Sequence, residues 1–156
     1  MNNNRRILLK GTLAASATGM AISAGLLTPK AVMAAWPKAA FESKDVDGAL
    51  NAALGSASTS DSSEIKLKAP DIAENGAVVP ITVTSSISGT ESISILVPKN
   101  GTPLTATFNL GASTEGYVST RIKMGKTSDV VAVVKAGGKL FSAKKQVKVT
   151  IGGCGG

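Results

Sequence analysis

The feature that most constrains the fold is an alternation of apolar and polar residues that begins at Glu64 and recurs almost to the end of the chain. An alternation with a period of two gives a β-strand one apolar face and one polar face. Turn signals such as Asn75-Gly76 and Gly137-Gly138 separate seven predicted strands. These span residues 65–69, 79–84, 93–97, 104–110, 118–124, 130–134 and 147–151. Strands of this length and spacing predict an all-β fold, an immunoglobulin-like antiparallel β-sandwich of about seven strands over residues 64–151.

Two of these segments indicate their place in a sheet. Residues 130–134 are apolar at every position, as in a central strand that is buried on both faces. Pro80 interrupts an otherwise regular strand and predicts an edge or a bulge, because proline cannot donate to the hydrogen-bond ladder. An edge strand rich in valine and isoleucine can pair with another chain, so we expect a partner subunit.

A short helical segment and a serine-rich linker are predicted ahead of the strands, over residues 36–63. Val46, Leu50 and Leu54 are spaced four residues apart, which places them on one face of a helix. Residues 55–63 are polar and show no period, as expected of a linker. The candidate N-caps and the candidate stop are Ser43, Asp45 and Gly55.

Residues 1–35 have the pattern of a cleaved signal peptide. A short basic start carries the adjacent pair Arg5 and Arg6, and a mildly apolar stretch follows. This combination is typical of the twin-arginine export route. A permanent membrane anchor is the alternative, but it needs about 20 predominantly apolar residues. The small residues that close the stretch predict cleavage after Ala34 or Ala35, and the expected location is the periplasm with no membrane attachment after cleavage.

Charge and composition exclude several function classes. The net charge is +7, but residues 1–34 hold four basic residues and no acid, so the remainder has 13 basic and 10 acidic residues. That balance, together with five aromatic residues, argues against nucleic-acid binding. The chain has no histidine and one cysteine, Cys154, so we expect no metal site, no cofactor and no catalytic residues of its own.

The C-terminal sequence Gly152-Gly153-Cys154-Gly155-Gly156 is the strongest functional signal. Glycine has the widest backbone freedom and no side chain, so the sequence predicts an arm over residues 152–156 that does not pack. Extended, it carries the thiol roughly 10 Å past the last strand. No fixed base is available there to hold a thiolate for catalysis. We therefore expect the Cys154 sulfur to be an attachment point whose chemistry is supplied by other enzymes.

Three segments and the leader together resemble the SoxY family of sulfur-compound carriers. They are the ending over residues 147–156 and the blocks 67–80 and 117–124. The resemblance implies an immunoglobulin-like carrier that forms a heterodimer with SoxZ and holds thiosulfate-derived intermediates on Cys154. It also implies loading by the haem enzyme SoxAX, sulfate release by SoxB and, where present, oxidation of the remaining sulfur by SoxCD. The carrier of this family binds no cofactor.

Two other functions remain open from the residues. A terminal Gly-Gly also ends ubiquitin-like sulfur carriers, in which the carboxylate of Gly156 becomes a thiocarboxylate. That chemistry requires cytoplasmic adenylation and leaves Cys154 without a role. An exported interaction module with an intermolecular Cys154 disulfide is the third possibility, but it does not explain the four flanking glycines.

Overall fold

The computed structural model describes residues 37–150. Two helices and nine strands are formed in this part of the chain. The helices are α1 (Lys38–Glu42) and α2 (Val46–Leu54). The strands are β1 (Ser60–Asp61), β2 (Ile65–Lys68), β3 (Ile72–Ala73), β4 (Val79–Ser85), β5 (Thr90–Leu96), β6 (Leu104–Asn109), β7 (Tyr117–Ile122), β8 (Ser128–Ala136) and β9 (Lys139–Val149).

The strands form two sheets that share one apolar core. The larger sheet has the order β1-β9-β8-β5-β6, with β3 also paired to β9, and the smaller sheet has the order β2-β4-β7. Inward-facing side chains of both sheets, including Ile81 and Val83 from β4 and Ile93 and Ile95 from β5, are buried together. The predicted all-β sandwich is therefore confirmed.

Both helices cover the outer face of the larger sheet. Ala40 of α1 and Leu50 of α2 are buried in a second cluster with Leu96 and Val133 of the sheet. The sheet thus lies between the helices and the smaller sheet. This position explains why residues 130–134 are apolar throughout, because both faces of β8 are buried.

The helix signals in the sequence correspond to the observed ends of α2. The Asp45 side chain accepts a hydrogen bond from the Gly48 amide at 2.6 Å, as an N-cap does. Gly55 ends the helix in the left-handed region with φ of 83°. Leu50 is buried, and Val46 and Leu54 pack at the margin of the same cluster, so the predicted apolar stripe is confirmed.

The last strand is longer than its alternation indicated. Residues 147–149 of the predicted strand form only the end of β9, which begins at Lys139. A two-residue turn at Gly137 and Gly138, both with positive φ, joins β8 to β9 and pairs the strands from Ala136–Lys139 onward. Lys145 interrupts the alternation, because it lies on the same side of β9 as the core-facing Ala143 and Val147.

Two short strands and Pro80 complete the sheets. β1 and β3, which the sequence did not predict, each pair in parallel with β9. Pro80 pairs with Arg121 of β7, whereas β2 reaches only as far as Thr82 on the opposite side of β4. Pro80 therefore lies where β4 has a neighbour on one side only, which agrees with the predicted edge position. Within residues 37–150, neither helix is long and apolar enough to cross a membrane.

Candidate functional site

The predicted attachment residue Cys154 and its flanking Gly152, Gly153, Gly155 and Gly156 lie outside the described residues, as do Arg5 and Arg6 of the leader. The structure does describe the end of β9, from which the C-terminal segment continues. We use the name arm root for residues 148–150 and for the two segments that hold them, 71–76 and 124–127.

The first segment of the arm root is bonded to β9 through its backbone. Strand β3 pairs in parallel with β9, with Ile72 opposite Lys148 and Ala73 opposite Val149. The Thr150 amide donates to the Ala73 carbonyl at 3.2 Å, and the Thr150 hydroxyl donates to the Glu74 carbonyl at 3.4 Å. The last described residue is therefore still attached to the domain.

The second segment holds the other side of β9. The Val149 amide donates to Thr127 Oγ1 at 3.0 Å. The Met124 amide donates to the Gly76 carbonyl at 2.7 Å, which joins the two segments to each other. Gly76 is buried so closely here that a Cβ would lie 2.4 Å from the Met124 carbonyl oxygen and 2.8 Å from Val149 Cγ1. Only glycine fits at this approach of two backbones.

An ion pair fixes the start of the first segment. Lys145 Nζ of β9 lies 3.0 Å from an Asp71 carboxylate oxygen and donates to the Ala69 carbonyl at 2.6 Å. The Asp71 side chain is 88% exposed, so the pair contributes at most about 1 kcal/mol. Its main effect is on geometry, because it adds a side-chain contact to the backbone pairing of β3.

A basic cleft opens between the edge strands of the two sheets, β6 and β7. Its volume is about 870 Å³. Asn100 shapes it, since Asn100 Nδ2 donates to the Lys123 carbonyl at 2.7 Å and Asn100 Oδ1 accepts from the Gly125 amide at 3.0 Å. The cationic side chains that line the cleft are Lys44, Lys99, Arg121, Lys123 and Lys126.

The sequence did not predict either of these features as units. The basic residues of the cleft come from three separate parts of the chain, so no charge run marks them. The Asn75-Gly76 signal predicted a turn, but not the close approach to residue 124. Among residues 37–150, no group of three or more acidic, histidine or cysteine side chains is arranged to hold a metal ion.

Comparisons with known proteins agree with the resemblance found in the sequence. A family model described as "Sulfur oxidation protein SoxY" matches residues 50–154, about two thirds of the chain. The solved structure of the sulfur carrier protein SoxY from Chlorobium limicola f thiosulfatophilum is 48% identical, with a TM-score of 0.63. That alignment covers 69% of this chain and 97% of the Chlorobium chain. A comparison with curated proteins gives no match. The chain, with its immunoglobulin-like β-sandwich, therefore belongs to the SoxY family of sulfur oxidation proteins.

Proposed function

We propose that this protein is a periplasmic sulfur carrier that holds thiosulfate-derived intermediates covalently on Cys154. The observation that carries the proposal is the extent of the family match, which runs from residue 50 to Cys154 itself. The relation to a structure described as a sulfur carrier protein supports the same function. The protein is a substrate for other enzymes and performs no chemistry alone.

The arm root supports this role by fixing the point from which Cys154 is presented. Four hydrogen bonds hold Val149 and Thr150 against the two flanking segments. Four residues lie between a fixed Thr150 and the end of the Cys154 backbone, a reach of about 13–14 Å when extended. An arm that starts at a fixed point and has only glycines beside Cys154 suits entry into narrow clefts of partner enzymes.

The proposed chemistry conserves atoms and electrons at each step. Loading joins the Cys154 thiol to the outer sulfur of thiosulfate, giving Cys154–S–S–SO₃⁻ with loss of one proton and two electrons to the haem enzyme SoxAX. Hydrolysis by SoxB adds water across the S–SO₃ bond and releases hydrogen sulfate, leaving a Cys154 persulfide. SoxCD, where present, accepts six electrons as three waters supply oxygen to that outer sulfur, giving Cys154–S–SO₃⁻ and seven protons. A second hydrolysis then releases hydrogen sulfate and returns the Cys154 thiol. The thiol supplies a nucleophilic sulfur and a stable persulfide, and no cofactor is required on the carrier.

We further propose a heterodimer with SoxZ and export by the twin-arginine route. The exposed edges of the sandwich support pairing with a second β-subunit. Arg5 and Arg6 support the export route. N-terminal sequencing of the protein recovered from the periplasm tests the leader. A mature chain starting at Ala35 or Trp36 is expected, whereas an intact Met1 contradicts processing.

Replacement of the thiol tests the carrier function. Cys154→Ser should abolish thiosulfate-dependent turnover by the reconstituted enzymes, because the attachment atom is lost, while far-UV circular dichroism and thermal stability stay unchanged. Ala112→Ser is the matched control, since it introduces the same side chain at an exposed position outside the arm and keeps the thiol, so turnover should persist. Turnover that survives in Cys154→Ser contradicts the proposal. In that case, a mass change on the Gly156 carboxylate identifies a thiocarboxylate carrier, and a reducible dimer as the working form identifies an interaction module.

A further inference from the structure

The basic cleft concentrates positive charge in a chain that is otherwise nearly balanced. Residues 35–156 contain 13 basic and 10 acidic residues, yet five of the bases and none of the acids line this cleft. The ion pairs within residues 37–150 are Lys38–Glu42, Lys135–Glu91 and Lys145–Asp71. None of them uses a cation of the cleft, so in the described part of the chain its charge is not neutralised.

The chemistry of the lining favours an oxyanion ligand. Lysine ammonium and arginine guanidinium groups donate charge-assisted hydrogen bonds to sulfonate, sulfate and phosphate oxygens. Asn100 is already bonded at both ends of its amide, and Thr105 Oγ1 donates to the Ile95 carbonyl at 2.8 Å. These polar groups therefore hold the shape of the cleft, and the cations supply its attraction for an anion.

The size of the cleft indicates more than a free inorganic ion. About 870 Å³ lies within the range of roughly 300–1,000 Å³ that accommodates drug-sized ligands, so a bare sulfate leaves most of it empty. Leu104, Ala106 and Ile122 also line it, which provides uncharged surface beside the cations. An anionic group joined to a slender peptide fits both the volume and the mixed lining.

The cleft lies close to the arm root of the same chain. Lys126 lines the cleft, and the next residue, Thr127, accepts the Val149 amide at 3.0 Å. Because neighbouring Cα atoms are about 3.8 Å apart, the Lys126 backbone lies within about 10 Å of the Val149 nitrogen. The four residues that follow Thr150 and end at Cys154 span about 13–14 Å when extended. The C-terminal segment is therefore long enough to bring Cys154 to the edge of the cleft at Lys126.

We propose that the basic cleft is an oxyanion site that receives the sulfonate end of the cargo on Cys154 of its own chain. This inference rests on the proposed carrier function and adds a docking position for the loaded arm. Cys154 bearing S–SO₃⁻ gains the attraction of the cations, whereas the free thiol and an uncharged adduct do not. The cleft thereby distinguishes loaded from unloaded carrier.

Chemical loading of the chain purified after export tests the proposal without partner enzymes. With tetrathionate, the Cys154 thiolate attacks a central sulfur, forms Cys154–S–S–SO₃⁻ and releases thiosulfate. With methyl methanethiosulfonate, it forms the neutral Cys154–S–S–CH₃ and releases methanesulfinate. Backbone amide NMR should show shifts at Gly101 and Gly125 of the cleft for the sulfonate adduct only. Amides of Gly89 and Gly138, which do not line the cleft, should stay unchanged in both adducts.

Two double variants test whether the cations of the cleft cause the sulfonate-dependent amide shifts. Lys123→Gln with Lys126→Gln removes two cations of the cleft and should reduce the sulfonate-dependent shift roughly three- to tenfold. Lys66→Gln with Lys68→Gln removes the same charge from β2, which does not line the cleft, and should leave the shift unchanged. Raising the ionic strength to about 1 M should also weaken the shift, since the Debye length falls to about 3 Å.

Free thiosulfate added to Cys154→Ser distinguishes tethered cargo from a free ion. A short flexible tether gives an effective concentration of roughly millimolar, so free thiosulfate should need millimolar levels to produce the same shifts. Saturation at micromolar thiosulfate overturns the proposal in favour of a free-anion site. Identical spectra for the sulfonate and methyl adducts also overturn it, and the cations then only protect the edges of β6 and β7. Because loading is chemical, neither result depends on whether Cys154 is loaded in the cell.

Discussion

Of the glycine-to-alanine substitutions at described positions of the sandwich, Gly76→Ala should disrupt the arm root most. The new Cβ would lie 2.4 Å from the Met124 carbonyl oxygen, whereas real Cβ contacts below 3.0 Å essentially do not occur. One backbone must therefore retreat by more than half an ångström. Neither can do so freely, because the Met124 amide donates to the Gly76 carbonyl at 2.7 Å. Overpacking of this kind costs about 2–3 kcal/mol.

Urea unfolding followed by far-UV circular dichroism measures this cost. Gly76→Ala should lower the unfolding midpoint with little change in the slope, and should lower Tm by about 10 °C for a domain of this size. Gly101→Ala is the matched control, because nothing lies within 4 Å of its Cβ position, and its stability should stay within about 0.5 kcal/mol of the parent.

Hydrogen exchange shows which part of the domain is destabilised. The Thr150 amide, which donates to the Ala73 carbonyl, should exchange faster in Gly76→Ala than in Gly101→Ala. Equal stability of the two variants would show that residues 76 and 124 do not approach each other as described. The close packing of the arm root would then be refuted.

Three further substitutions test the interior and the α2 cap. Ser92 Oγ is buried without a hydrogen-bond partner in the described part of the chain, so Ser92→Ala should raise the free energy of unfolding by about 1 kcal/mol. Ser94→Ala should lower the free energy of unfolding by about 1 kcal/mol, because Ser94 Oγ is hydrogen-bonded to Thr107 Oγ1 at 2.7 Å. Urea midpoints that shift in the same direction for both variants would contradict this reasoning. Asp45→Ala should cost about 1 kcal/mol through loss of the bond from the Gly48 amide, and an unchanged Tm would mean that this cap does not contribute.

The sequence predicted the elements that depend on local pattern. The sandwich followed from period-two alternation, and the ends of α2 followed from Asp45 and Gly55, because capping and positive φ are set by one or two residues. The apolar run at residues 130–134 also predicted burial on both faces, although it did not indicate that helices cover one of those faces.

The features that the sequence missed depend on contacts between distant residues. β1 and β3 are two residues long and are strands only through their pairing with the edge of β9. The requirement for glycine at position 76 comes from residues 124 and 149. The basic cleft is lined by Lys44, Lys99 and residues 121–126, which are far apart in the sequence and are brought together by packing. No local sequence signal marks them as a group.

The central claim is that sulfur is carried on Cys154, and the most direct test is the intact mass of the protein purified from the periplasm of cells using thiosulfate. Peptide fragmentation should find an added S₂O₃ unit or sulfur atom on Cys154, at most one adduct per chain, and a thiol reductant should remove it. An unmodified Cys154 in protein that supports thiosulfate turnover would contradict the claim, and so would sulfur found only on the Gly156 carboxylate.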